Sequence, residues 1–176
     1  MIEKNDIIYV LRGKLEGRPL SLDMSEIYSA ESRIPEIRHV TAVSLPDLAA
    51  EFNQAYRVLV KHLAAVQYEV LSAEKTYEDA KAVLLLDKYP ELMESKGFKD
   101  SADTRKACIA QDKECSLALD KLNQLKAVET LLDGKIKVFI SANSIIKKIV
   151  ENQDKMSFVP PQVTAKIEEL EKVFRK

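Results

Sequence analysis

Residues 45–89 read LPDLAAEFNQAYRVLVKHLAAVQYEVLSAEKTYEDAKAVLLLDKY, and this stretch decides the fold. Apolar, Ala or Tyr residues recur at Leu45, Leu48, Phe52, Ala55, Leu59, Leu63, Val66, Val70, Ala73, Tyr77, Ala80 and Leu84. The steps alternate three and four, with one extra four between Leu59 and Leu63. Such a seam lets a helix bury one stripe along its whole length, and the four-four step is a local stutter. With 1.5 Å of rise per residue the rod is roughly 65 Å long. No single compact core needs that.

The flanks define where this helix begins and ends. Ser44 reads as its N-cap, with Pro46 and Asp47 in the first turn, where a missing N–H is harmless and negative charge is favoured. Pro90 ends it near Tyr89, because proline disfavours helix before it and donates no backbone bond. A short helical turn over Pro90–Lys96 then stops at Gly97, a natural left-handed cap. The tip spans residues 96–101.

Ser101, with Asp103 and Thr104, starts a second long helix running to Gln153. Its seam passes through Cys108, Cys115, Ala118, Leu122, Leu125, Leu132, Ile136, Phe139, Asn143, Ile146 and Val150. Gly134 is a weak point worth about 1 kcal/mol relative to Ala. Asn143 on a seam is either a register-setting polar residue or a solvent-facing one on a rotated helix. After Pro160-Pro161, the stripe Val163, Ile167, Leu170 and Phe174 predicts a short terminal helix.

Residues 1–44 read as an arm. Ile7-Ile8-Tyr9-Val10-Leu11 suits a strand as well as a helix face, Asp23–Ser32 suits a short helix, and the β-branched run Ile37–Val43 suits extended chain. The expected architecture is all-α: a long, coiled-coil-like antiparallel hairpin over 45–156, an irregular arm over 1–44, and a C-terminal helix within 157–176. Two limbs of this length leave seam uncovered, so a homo-oligomer is expected.

Composition sets outer bounds. Hydrophobic residues at 46% and charged residues at 31% describe a chain that can bury a core. A formal net charge of −1 lacks the whole-chain basicity of many nucleic-acid binders, although local patches are still compatible with it. No apolar run nears a membrane span and no secretion signal opens the chain, so a cytoplasmic protein with no membrane partner is expected. Cys108 and Cys115 lie seven apart on one helix, about 10.5 Å of rise, too far for a disulfide between them. They read as small buried hydrophobes.

Motifs for catalysis are absent from the sequence. His39 and His62 are too few and too separated for a metal cluster, and no Glu-x-x-His pair is present. No phosphate-cradling glycine loop, nucleophile elbow or Cys-x-x-Cys occurs. The expectation is a non-enzyme with no catalytic residues, cofactor or metal.

Charge, by contrast, is uneven. Val66–Glu94 holds seven acids against three lysines, whereas Thr104–Val150 holds nine basic residues against five acids. Either the acidic limb answers the basic one, or the surplus cations form strips for a phosphate backbone, repeated around an oligomer. The candidate strips are Lys96, Lys99, Arg105 and Lys106 at the tip, and Lys135, Lys137, Lys147 and Lys148 further along. Tyr89 and Phe98 are candidates to stack on bases.

Across residues 77–149 one pattern recurs: Ala-Lys-Ala-Val-Leu-Leu-Leu-Asp-Lys-Tyr before a Gly-containing tip, then Asp-Thr-Arg-Lys-Ala-Cys-Ile-Ala-Gln-Asp-Lys-Glu, then Ile-Ser-Ala-Asn-Ser-Ile-Ile-Lys-Lys-Ile. This resembles the UvsY-like phage recombination mediator family. The resemblance implies a small helical oligomer that binds single-stranded DNA and helps load a RecA-like recombinase in place of a single-strand-binding protein. Where that family has a basic pair before the tip, this chain has Leu84, Leu85 and Leu86 between Lys81 and Lys88.

The leading expectation is therefore a phage-encoded, oligomeric DNA-binding mediator of recombination or replication. The alternative is a structural or assembly protein, such as a morphogenesis factor or adaptor, using helix–helix contacts only. A third reading is a regulator that inhibits a host protein through the N-terminal arm.

Overall fold

The computed structural model describes residues 7–10, 20–41, 43–97, 99–153 and 166. Most of these residues are helical, as the abundance of Ala, Leu, Lys and Glu favours. The chain divides into two compact units. One draws on β1, Arg18–Leu63 and the chain from Leu131 onward; the other draws on Ala64–Thr130.

The first unit contains the one departure from an all-α fold among the described residues. Strand β1 (Ile7–Val10) pairs antiparallel with β2 (Leu20–Asp23), Ile7 opposite Asp23 and Val10 opposite Leu20. Of the two readings open for this stretch, the strand is the one that forms over Ile7–Val10. Helix α1 (Ser25–Ser32) follows, with the Ser25 N–H donating to Asp23 Oδ1 at 2.9 Å. Val40 is extended, but the expected extended run at Ile37–Val43 is corrected over Ile37–His39, which belong to a 3-10 helix (Ile34–His39). Pro35 stands in its first turn, where proline's fixed φ suits a helix, and residues three apart eclipse in this geometry. Ile34 and Ile37 consequently share one face, and both are buried.

The segment read as an arm thus supplies Leu22, Met24, Ile27, Ala30, Ile34 and Ile37 to a core. Helix α2 (Leu45–Val83) adds Leu45, Leu48, Phe52, Ala55 and Leu59 to the same unit. Phe52 meets Phe139 edge-to-face, with ring centroids 5.7 Å apart, a contact worth about 0.5–1.5 kcal/mol beyond its burial. Ser44 stands at the expected N-cap position, its carbonyl accepting from the Leu48 N–H at 3.2 Å, but its hydroxyl does not bond the first turn. Its Oγ instead accepts from the Thr41 N–H at 3.0 Å, closing the turn before the helix.

In the second unit α2 contributes Val66, Val70 and Ala73 to the buried side, and Leu84 continues the seam. The expected uninterrupted run to Tyr89 is corrected, because Leu84–Lys88 form a π-turn before α3 (Tyr89–Lys96). The cause is Pro90, which removes a donor from the ladder; the Tyr89 N–H bonds back to the Leu84 carbonyl, five residues away. Gly97 caps α3 at φ 65°, ψ 24°, the left-handed geometry anticipated for it.

Ser101 caps α4 (Ala102–Gln111), its Oγ accepting from the Thr104 N–H at 3.1 Å. The single second helix is corrected as well. Asp112 is extended (φ −73°, ψ 128°) and separates α4 from α5 (Lys113–Gln153). Its Oδ1 accepts from the Cys115 N–H at 2.9 Å, so Asp112 is itself an N-cap.

On α5 the seam residues Cys115, Leu122 and Leu125 are buried in the second unit, and Leu132, Ile136, Phe139 and Ile146 in the first. Its last step departs from expectation: Val150 is 47% exposed, while Ile145 and Ile149 are buried. A straight helix of 3.6 residues per turn drifts away from a strict heptad spacing, and here the inward stripe has moved by one residue. The predicted terminal helix lies outside the described residues, apart from helical Lys166. No described helix is long and apolar enough to cross a membrane.

Candidate nucleic-acid interface

Lys96 is the last residue of α3, and Lys99 is exposed in the following loop, where its carbonyl accepts from Thr104 Oγ1 at 3.2 Å. Lys106 is exposed on α4 and forms no ion pair with a described residue. Arg105 is differently placed: its Nε donates to Asp100 Oδ1 at 2.8 Å and its Nη2 to Oδ2 at 2.5 Å. The same Oδ1 accepts the Tyr89 hydroxyl at 3.0 Å.

This fork-on-fork pair has consequences for proton affinity. The Arg105 guanidinium, followed by the Tyr89 hydroxyl, holds the Asp100 carboxyl below its ordinary value. Asp100 in turn raises Arg105. Burial, reinforced by Asp100, pushes the Tyr89 phenol up. Tyr89 is only 6% exposed, so its ring is not offered to a base, which corrects the stacking expectation. Phe98 lies outside the described residues.

Behind the tip, Lys88 Nζ reaches Asp112 Oδ2 at 3.4 Å and Glu114 Oε2 at 3.3 Å. Glu74 pairs with Lys126 at 2.8 Å, and Gln67 donates to Glu129 at 3.1 Å. Some acidic charge on α2 is therefore answered by basic charge on α5, the plainer of the two readings of the uneven distribution. Lys113, at the start of α5, is exposed; sequence reading passed it over because two acids flank it.

In the first unit the four candidates separate into two kinds. Lys135 is inward: its Nζ lies 2.5 Å from Glu31 Oε1, with the two side chains only 14% and 11% exposed. The same ammonium sits 4.9 Å from the centre of the Tyr28 ring. It joins α5 to α1 and has no charge to spare for a phosphate. Lys137, Lys147 and Lys148 are exposed. Lys137 pairs with Asp133 at 2.6 Å and Lys147 with Glu151 at 3.8 Å, each one turn away on the same helix.

Two exposed cations of this unit, Arg57 and Lys61, lie one turn apart on α2. They escaped notice in the sequence because they belong to no run of like charge. The remaining polar contacts are structural. Arg33 pairs with Glu51 and, at 2.9 Å, with Glu36, while His62 Nε2 donates to the Asp23 carbonyl at 2.7 Å.

Chemically, the exposed cations can neutralise phosphates and the buried ones cannot. Compared with protein-family models, with curated proteins and with solved structures, the chain matches none.

Proposed function

We propose that this chain is an oligomeric accessory protein that binds single-stranded DNA and assists recombination or replication, by binding and assembly and without catalysis. The observation that carries the reading is the condition of its surface cations. Lys99 and Lys106 have no ion-pair partner among the described residues, and Lys137 and Lys147 have only neighbours one turn away on an exposed face. Such pairs contribute about 0.3–0.5 kcal/mol each, so exchanging a carboxylate for a phosphate costs little. Release of condensed counterions then favours the complex.

The resemblance over residues 77–149 points the same way, toward a phage-encoded mediator whose partners are a RecA-like recombinase or a single-strand-binding protein. In this reading α2 and α5 are limbs of a long antiparallel hairpin, and copies of the chain associate so that modest patches act together. Lys99, Lys106, Lys137, Lys147 and Lys148 contact phosphates, with Arg105 held in reserve by Asp100.

Fluorescence anisotropy of a labelled oligonucleotide, titrated at several salt concentrations, tests this. Affinity is expected to fall steeply with salt, and a Lys99→Glu/Lys106→Glu variant is expected to bind more weakly with a shallower slope. Absence of binding at low salt by folded protein would sink the proposal.

Tyr68 and Leu71 favour a second reading. Both are large, both are about two-thirds exposed, and they lie one turn apart on α2. A structural or assembly protein that recognises other helices has use for such a pair. In that case Tyr68→Glu/Leu71→Glu abolishes association while the basic substitutions have no effect.

A further inference from the structure

We infer that the end of the second unit, from Tyr89 to Gln111, is a hinged cap that swings on two facing backbone irregularities, the π-turn at Leu84–Lys88 and the break at Asp112. This goes beyond the nucleic-acid reading and does not depend on it.

An irregularity in one helix gives a fixed kink, because the neighbouring helix stays straight and holds it. Here both passages of the chain lose α-geometry at the same level. The Lys88 ammonium at the end of the π-turn lies 3.4 Å from the carboxylate of Asp112, the residue at which α4 and α5 part. Motion therefore needs no helix to be broken anew: the backbone bonds that would resist it are already absent or re-routed.

Space is present at the same place. An open-sided pocket of about 220 Å³ adjoins both irregularities, lined by Leu84, Lys88, Leu92, Met93, Cys108 and Asp112 among others. Close-packed interiors resist sliding, and side chains that border an open pocket have fewer neighbours to oppose it.

The cap is fastened internally, and exposed ion pairs join the two hinge points. Within it, the Tyr89 hydroxyl and both nitrogens of the Arg105 fork converge on Asp100, tying α3 to α4. At the hinge itself, Lys88 on the π-turn pairs with Asp112 and Glu114 at the break, and Lys88 is nearly half exposed. Ion pairs open to solvent are screened by salt. The Asp100 cluster makes the cap one body, and the Lys88 pairs hold the two hinge points together.

Electron–electron resonance distances test this on the full chain. Ketone-bearing residues at Glu94 in α3 and Asn123 in α5 carry oxime-linked nitroxides, leaving both cysteines in place. The expected distribution is broad or two-peaked, and it shifts toward the longer distance in high salt and in Lys88→Met. Deleting exposed Leu86 returns the π-turn to α-helical register and is expected to leave one narrow peak. Asp112→Ala, which lets α4 run into α5, provides a second route to the same narrowing should the deletion fail to fold. A single narrow peak in the unmodified chain, unmoved by salt and by Lys88→Met, overturns the inference. So does a broad distribution that survives the folded hinge variants unchanged.

Discussion

Lys135 and Lys137 are two residues apart on α5, of the same chemistry, and differ completely in what surrounds them. Lys135 faces Glu31 and the Tyr28 ring from α1, whereas Lys137 faces solvent beside Asp133. Lys135→Met is expected to destabilise the fold by about 2–3 kcal/mol, since it leaves a mostly buried carboxylate unpaired. Denaturant melts measure this, and oligonucleotide affinity of the folded variant should be unchanged. Asp100 has a depressed proton affinity, so its contribution to stability is complete above its ordinary value of 3.8 and is lost as pH falls through the lower folded value. Melting temperature followed downward from pH 5 should therefore drop less in Asp100→Asn than in the parent chain. Gly134 has open space where a Cβ would stand, and Gly134→Ala should add about 0.5–1 kcal/mol of helix stability. At Gly97 the same substitution meets φ 65° and should destabilise.

The helices were legible element by element wherever local chemistry decides. Gly97 and Ser101 were readable as caps because each cap is a matter of one residue and its neighbours. The Leu45–Leu59 part of the seam was readable because apolar spacing at three and four has no strand equivalent. The π-turn was not, because Pro90 announces only that the ladder must change, and a chain can answer by ending or by widening the turn. Asp112 left a fainter trace. An Asp three residues before a buried Cys115 is a cap signal, but on a helix rich in charge it looks like one more solvated carboxylate. Asp112→Ala, by letting α4 run into α5, should give the Cys115 N–H the Gln111 carbonyl as its partner, seen as slower amide exchange at Cys115. Ile34 and Ile37 misled for another reason: β-branched composition suggests extended chain, yet a spacing of three after a proline suits a 3-10 helix equally. Among the cations, periodicity could not tell Lys135 from its neighbours, since the carboxylate that claims it is 104 residues away in the sequence.

For the molecule as a whole, the proposed function turns on whether copies associate and whether a charged polymer binds. Light scattering is expected to give a mass that is a multiple of 19.9 kDa, and a single-chain mass at all concentrations would remove the multivalent part of the proposal. If single-stranded DNA is the partner, the log–log salt slope should be about −0.7 for each phosphate neutralised. Losing two lysines should then flatten it by about 1.4.

The six side chains that residues 20–41 press into the first unit also decide how the protein can be dissected. A fragment trimmed to begin at Leu45, the natural choice for anyone isolating the long helices, would remove six buried side chains from the unit that holds Phe52 and Phe139, and leave Lys135 without its carboxylate. Such a piece should be recovered from inclusion bodies, whereas one starting a few residues before Leu20 should stay in the supernatant.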